Sequence, residues 1–166
     1  MSVFEAQGIQ FNPPPEFGVD EVMLTLKGAP VAGLKDPRML QKQTPVRPNL
    51  IIHRRVVGSA ATVEMLCGEV CAELVSAVDG IKGLGTQAFA FDDGGRGMLV
   101  VFDFPAGTLA TVRQFQALRL DAGVLTSLTL TVDSTTLNDT LRELYLRSLA
   151  SMKPPAPASR PGFLNT

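Results

Sequence analysis

The sequence predicts an α+β fold, an antiparallel sheet of about six to seven strands with two helices packed on one face and the other face open and concave. Two observations carry this prediction. Several segments alternate apolar and polar residues, as half-buried strands do, whereas residues 60–78 and the stretch after Ser134 repeat apolar residues every three or four positions. A chain of 166 residues fits a single domain over 1–153, followed by a proline-rich tail over 154–166.

The first third of the chain predicts three strands. Val3–Phe11 forms the first and ends at the prolines that follow Asn12, because proline lacks the donor that a strand ladder needs. Alternating residues over 22–26 predict the second strand. A long loop over 28–48 then leads to the third strand over 49–57, which has an aliphatic centre.

Residues 60–78 change period and predict the first amphipathic helix. Its apolar positions recur at steps of three and four: Val63, Leu66, Cys67, Val70, Cys71, Leu74, Val75 and Val78. Glutamates occupy the outer side, and Asp79-Gly80 supplies a glycine suited to ending a helix.

Two hairpins and a second helix complete the predicted domain. The first hairpin pairs 86–91 with 97–104 around an Asp-Asp-Gly-Gly turn, and the second spans Ala110–Val132 around Asp-Ala-Gly. Ser134 or Thr135 is predicted to cap the second helix. Its inner stripe would be Leu137, Leu141, Leu144, Tyr145, Ser148 and Met152.

Composition and charge narrow the function classes. Charged residues make up 19% of the chain and the net charge is −1, which gives no electrostatic case for nucleic acid or anionic lipid. No segment approaches the roughly 20 apolar residues of a membrane span. The N-terminus lacks the basic region of a secretory signal, so we expect a cytoplasmic protein without stable membrane insertion.

The chain offers little catalytic chemistry, and we expect no enzyme, no cofactor and no metal. Cys67 and Cys71 fall within a helical pattern as small apolar residues, and His53 is the chain's single histidine. No nucleophile motif accompanies that histidine. Asp92 and Asp93 are expected to form a solvated turn.

The Ala110–Val132 hairpin carries neutral polar residues where a solvated strand would carry Lys and Glu. Gln114 and Gln116 lie two positions apart and therefore share one sheet face. Amides can donate and accept hydrogen bonds in a covered contact without the desolvation cost of a charge. This face is therefore either a mildly solvated surface or a surface that binds a partner.

The chain resembles the DcrB-related, Mog/PsbP-like fold group and, more narrowly, is similar to the Eag chaperones of bacterial type VI secretion effectors. The resemblance covers residues 3–154. The stretches that carry it are Pro13–Pro15, Asp20, the strand through Leu24, PNLIIHRR at 48–55, VRQFQ at 112–116 and VLTSLTLTV at 124–132.

The resemblance implies a chaperone or adaptor that shields the apolar N-terminal helices of an effector on a concave sheet face and helps to load it onto a secretion spike. The groove residues that it implies are Ile51, His53, Gln114, Val22 and Leu24, with Gln116 as a weaker neighbour. A slip of one residue in the second strand would substitute Met23 and Thr25. The expected partners are the effector and proteins of the spike or injection particle, and a homodimer is left open.

Two other functions remain open from the sequence. The same face could serve a structural or loading subunit of a contractile injection particle. His53 could instead serve a small hydrolase or a ligand-binding domain.

Overall fold

The structure is a computed structural model that describes residues 4–6, 9–11, 21–27, 48–107 and 110–154, the first three ranges by backbone path alone. The predicted tail therefore lies, apart from Pro154, outside the described residues. The strands within these ranges are β1 (Phe4–Ala6), β2 (Ile9–Phe11), β3 (Glu21–Lys27), β4 (Asn49–Val56), β5 (Lys82–Ala90), β6 (Arg96–Ala106), β7 (Ala110–Asp121) and β8 (Val124–Asp133). The helices are α1 (Val63–Ala77) and α2 (Asp139–Ala150).

The described strands form an antiparallel sheet of six strands in the order β3-β4-β8-β7-β6-β5, which confirms the predicted α+β class. The predicted first strand over Val3–Phe11 is wrong. β1 and β2 pair with each other as a separate antiparallel ribbon, with Phe4 opposite Phe11.

The two faces of the sheet carry different helices. One hydrophobic cluster joins Leu99, Phe115 and Leu130 to Leu149 of α2. A second cluster joins strand residues of the opposite parity to Leu66 and Cys67 of α1: Val100, Phe102, Leu118 and Leu125. Because successive side chains of a strand point to opposite faces, α1 and α2 lie on opposite sides of the sheet.

The prediction of both helices on one face, with the other face open, is therefore wrong. The physical reason lies in β6, where the run Met98 to Phe102 is apolar at every position. Such a run is typical of a strand that is covered on both sides, whereas alternation indicates one covered side. We call the two surfaces the α1 face and the α2 face.

The helix caps also differ in part from the prediction. Thr62 caps α1, where its hydroxyl oxygen accepts from the Met65 N–H. Asn138, rather than Ser134 or Thr135, caps α2. The inner stripe differs as well, since Leu149 is buried while the predicted Leu144 is 58% exposed.

On the α2 face, one buried arginine connects several elements. The Arg119 guanidinium donates to Asp93 Oδ1 and Asp121 Oδ2, each at 2.7 Å, and to the Met152 carbonyl at 3.2 Å. It also lies over the Phe91 ring, 4.9 Å from the centroid. The predicted solvated turn at Asp93 is therefore tied to β7 and to the end of α2.

Candidate functional site

The α1 face of β4, β8 and β7 forms a row of neutral polar and aliphatic side chains that α1 only partly covers. The strand register aligns these residues across the sheet. Ile51 lies opposite Thr129, which lies opposite Gln116, and the next positions align His53, Ser127 and Leu118 in the same way. We call this surface the floor.

Hydrogen bonds within the sheet orient both floor glutamines. Gln114 Nε2 donates to Thr131 Oγ1 at 2.8 Å, directly across the strand pair. Gln116 Nε2 donates to Ser127 Oγ at 2.9 Å, two residues along β8 from the directly opposite Thr129. Each of these bonds uses one N–H hydrogen of the amide and fixes the side chain against the sheet.

A cavity of about 280 Å³ separates this floor from α1. Its walls combine aliphatic side chains of α1 and the sheet with polar side chains of the floor. The lining residues are His53, Arg55, Val70, Glu73, Leu74, Ala77, Gln116, Leu118, Leu125 and Ser127. We call the cavity and the adjoining floor the groove.

Charges occur at the border of the groove rather than along its floor. Arg55 lies at one end, and its guanidinium is 3.8 Å from the Glu69 carboxylate of α1. This pair joins the end of β4 to helix α1. Since both side chains are partly exposed, we expect it to contribute little to stability and mainly to define the rim.

The structure brings Ile51, His53, Gln114 and Gln116 together on the α1 face, all of them half-buried. His53 and Gln116 line the cavity. Ile51 shares the row of Gln116, and Gln114 lies two positions further along β7. Four of the six predicted residues therefore belong to one continuous surface.

In the backbone register, Val22 and Leu24 take positions of the other parity. The register pairs Val22 with Arg54 and Leu24 with Ile52, positions of the opposite parity to Ile51 and His53. Since β3 is described by its backbone alone, their membership of the groove stays a prediction. The alternative of a one-residue slip holds in the backbone register, which places Met23 opposite His53 and Thr25 opposite Ile51.

Sequence reasoning missed the α1 wall of the groove. Val70, Leu74 and Ala77 line the cavity, yet the first two belong to the apolar stripe that predicts a core contact. A helix pattern shows which side of a helix is apolar but not how much of that side the sheet covers. Glu73, which lies between Val70 and Leu74 in the sequence, was the available signal of an open flank.

The cysteines contribute packing to α1. Both thiols are free, and Cys67 is buried. Burial, the neighbouring Cys71 thiol and Glu64 together raise the pKa of the Cys67 thiol to about 11, so that it stays protonated at neutral pH. Within the part of the chain that the structure describes, no group of three or more potential ligand residues could hold a metal ion.

The described helices include none long and apolar enough to span a bilayer.

Comparison with known proteins shows the fold alone. No family model matches the chain, and no curated protein matches it in sequence. A similar solved structure is the crystal structure of PA94 from Pseudomonas aeruginosa, a protein of unknown function described as a candidate regulator, with a TM-score of 0.68. The match covers 95% of this chain and 99% of that chain at 13% sequence identity.

Proposed function

We propose that this protein is a non-catalytic cytoplasmic chaperone or adaptor, which holds an apolar N-terminal helix of a secreted effector and assists its loading onto a type VI or related contractile secretion apparatus. One observation carries the proposal. Ile51 and His53 of β4 and Gln114 and Gln116 of β7, which the resemblance and the neutral pattern single out, lie on one half-buried surface beside a cavity.

The chemistry of the groove suits an apolar helix. Val70 and Leu74 of α1 offer aliphatic contact, which removes apolar surface of the client from water. The floor amides and hydroxyls can meet the polar backbone or side-chain groups of the client without placing a charge beneath it. The charged Arg55 and Glu69 stay at the rim.

The position of α1 defines how a client would lie. Because α1 occupies the sheet over Val100, Phe102 and Leu118, a client helix has room on the β4 side of α1 rather than across the whole sheet. Helix-in-groove binding of this kind uses one apolar stripe of the bound helix. We therefore expect one helix per groove, parallel to the flank of α1.

The test is co-expression of the full chain with the products of neighbouring genes that carry apolar N-terminal helices. We expect such a client to be soluble only in the presence of this protein. Ile51→Asp, which places a carboxylate in the floor, should weaken the complex about a hundredfold, and Gln114→Ala about fivefold.

Two matched variants provide the controls. Val56→Asp introduces the same charge on the same strand at a side chain that is 63% exposed, and Gln87→Ala removes an exposed amide from β5. Both should leave the client soluble. A client that remains soluble with Ile51→Asp and Gln114→Ala as with the wild type would overturn the proposal.

A further inference from the structure

The wall that α1 contributes to the groove carries more negative than positive charge. Glu69 and Glu73 lie one helical turn apart on the flank of α1 that faces β4, and Glu73 lines the cavity. Arg55 lines the same cavity, and its guanidinium lies 3.8 Å from the Glu69 carboxylate. Among the described residues no ion pair reaches Glu73. Two carboxylates thus share one guanidinium, and the charge of Glu73 is left uncompensated.

The end of α1 adds to this negative charge. The helix has Glu64 in its first turn, which suits the positive end of the helix dipole, but it has no basic residue in its last turn. Helix α2 shows the usual complement, with Asp139 in the first turn and Arg147 in the last. Because Ala77, the last residue of α1, lines the cavity, the carbonyl end of this helix lies at the groove, one turn from Glu73.

A bound apolar helix would cover part of this charge. Glu73 directly precedes Leu74 and follows Val70 by three residues, and both aliphatic side chains line the cavity. In the free protein Glu73 is exposed, so that water solvates its carboxylate. A client that packs on Val70 and Leu74 removes some of that water, and a carboxylate that loses water without gaining a partner raises the free energy of the complex. A client that supplies a cation at this point avoids that cost.

We propose that Glu73 and the C-terminal end of α1 form a cation subsite of the groove, which selects apolar helices that carry a lysine or arginine beside their apolar stripe. The inference rests on the proposed function and adds to it the charge of the client. A lysine suits the subsite because its aliphatic stem can follow Leu74 and Ala77 while its ammonium group reaches Glu73. The same negative charge disfavours a client with aspartate or glutamate at that position.

The test measures the binding of synthetic helical peptides to the full chain. The peptides have about 18 residues, roughly five helical turns, and share a leucine stripe and an opposite face of serine and glutamine. They differ at one position beside the stripe, which holds Lys, Gln or Glu. Fluorescence anisotropy should show that the Lys peptide binds about fivefold more tightly than the Gln peptide, and the Glu peptide about fivefold more weakly.

Salt separates the charge of the subsite from the apolar contact. At an ionic strength of about 1 M the Debye length is about 3 Å, so the Lys and Gln peptides should then bind with about equal affinity. Contact between the leucine stripe and the groove should remain. A Lys preference that is unchanged by this salt would contradict the subsite.

Variants of Glu73 test which group supplies the charge. Glu73→Gln keeps the shape of the side chain and removes its charge, so the Lys peptide should bind no better than the Gln peptide. Glu73→Lys should reverse the order and favour the Glu peptide. The matched control is Glu64→Gln, which removes the same charge from an exposed glutamate in the first turn of α1, outside the cavity lining. It should leave the preference unchanged.

The outcomes distinguish the subsite from the groove itself. If all peptides bound with equal affinity, the subsite would be overturned and the proposed groove would stand. A Lys preference that persists in the Glu73→Gln variant, shown to be folded by circular dichroism, would also overturn the subsite, because another group would then supply the charge. If no peptide bound to the wild-type chain, the proposed function and the subsite would both fail.

Discussion

The two faces of the sheet have the same strands beneath them and opposite physical characters. On the α2 face, aromatic and aliphatic residues pack against α2, and the remaining buried charge at Arg119 is held by Asp93 and Asp121. On the α1 face, the helix covers only part of the sheet and leaves Gln114 and Gln116 half-buried, whereas their hydroxyl partners Thr131 and Ser127 are buried.

The contrast predicts which substitutions should affect folding most. The α2 face is closed, so changes there should affect folding. On the floor of the α1 face, both glutamine amides already donate a hydrogen bond within the sheet, which lowers the cost of their partial exposure. Adjacent residues of β7 belong to different faces, which allows the two roles to be tested one position apart.

The largest effect is expected from truncation of Phe115, which is 1% exposed in the α2-side core. Phe115→Ala should lower the free energy of unfolding by about 3–5 kcal/mol, because it removes a buried ring and leaves a cavity. The adjacent Gln116→Ala should lower it by about 1 kcal/mol, since it removes one side-chain hydrogen bond. Urea unfolding of both variants measures this contrast.

Leu118→Ala defines where the covered part of the α1 face begins. Leu118 is fully buried beneath α1 and packs with Leu66. Its truncation should cost about 2–5 kcal/mol, like that of a residue in the other core. If Gln116→Ala destabilised the protein as strongly as Leu118→Ala, the floor would be a closed core and the contrast between the faces would fail.

A smaller loss is expected at Gly97, where the sheet allows no side chain. A Cβ atom there would collide with the Leu118 carbonyl oxygen and would lie 2.9 Å from the Phe91 ring. Gly97→Ala should lower the unfolding free energy by about 1–3 kcal/mol, because the crowding atom is backbone that cannot move aside.

The matched control for Gly97→Ala is the same change at Gly68 of α1, where a Cβ would meet nothing within 4 Å. Gly68→Ala should raise stability by about 0.5–1 kcal/mol, through helix propensity alone. Opposite signs for the two glycines in thermal unfolding would confirm the crowding at Gly97. Equal gains would show that β6 and β7 have room to separate.

The hydrogen bond from Arg119 to Asp93 predicts that the stability of the fold depends on pH in the acid range. Hydrogen bonds from the Arg119 guanidinium and from the Gly95 N–H lower the pKa of Asp93 from 3.8 to about 2. A carboxylate with a lowered pKa in the folded state stabilises the fold above its unfolded pKa, and this contribution disappears as the pH falls from about 4 towards 2.

We therefore expect the stability difference between wild type and Asp93→Asn to be largest at neutral pH and to narrow between pH 4 and 2. Urea unfolding at a series of pH values tests this. The control is Asp92→Asn, since the neighbouring Asp92 side chain is exposed. If the difference between wild type and Asp93→Asn stayed constant down to pH 2, Arg119 would not lower the pKa of Asp93 as argued.

The sequence predicted those parts of the site that depend only on the alternation of side chains along one strand. Gln114 and Gln116 share a face because side chains alternate along any strand, and the structure confirms that pairing. The face shared by Val22 and Leu24 depends on the register between β3 and β4 across a long connection. No pattern within either strand fixes that register, and a one-residue difference moves every side chain to the other face.

The helix patterns could not predict which side of the sheet each helix covers. An amphipathic stripe shows that a helix packs on something, without showing which face receives it. The strand β6 held the missing information, since Val100 and Val101 are adjacent and yet belong to different cores. An apolar run in a central strand therefore deserves as much weight as alternation when layers are assigned.

The smallest effect on stability is expected at the turn that joins β7 to β8. Ala122 has φ of +48° and Gly123 has φ of +77°, so the two residues between β7 and β8 adopt left-handed conformations. A hairpin of this type prefers Asn-Gly, because asparagine tolerates that conformation better than alanine. Ala122→Asn should raise the unfolding free energy by about 0.5–1 kcal/mol, whereas Ala122→Val should lower it by about 1 kcal/mol.

Because this turn sets the register of β7 against β8, it supports both faces equally. Ala122→Asn should therefore raise the melting temperature without changing client binding, and the Gln114–Thr131 and Gln116–Ser127 pairs should be retained. If binding changed along with stability, the floor would depend on flexibility of the hairpin rather than on its fixed register. The two outcomes thus distinguish a preformed groove from one whose shape depends on the hairpin.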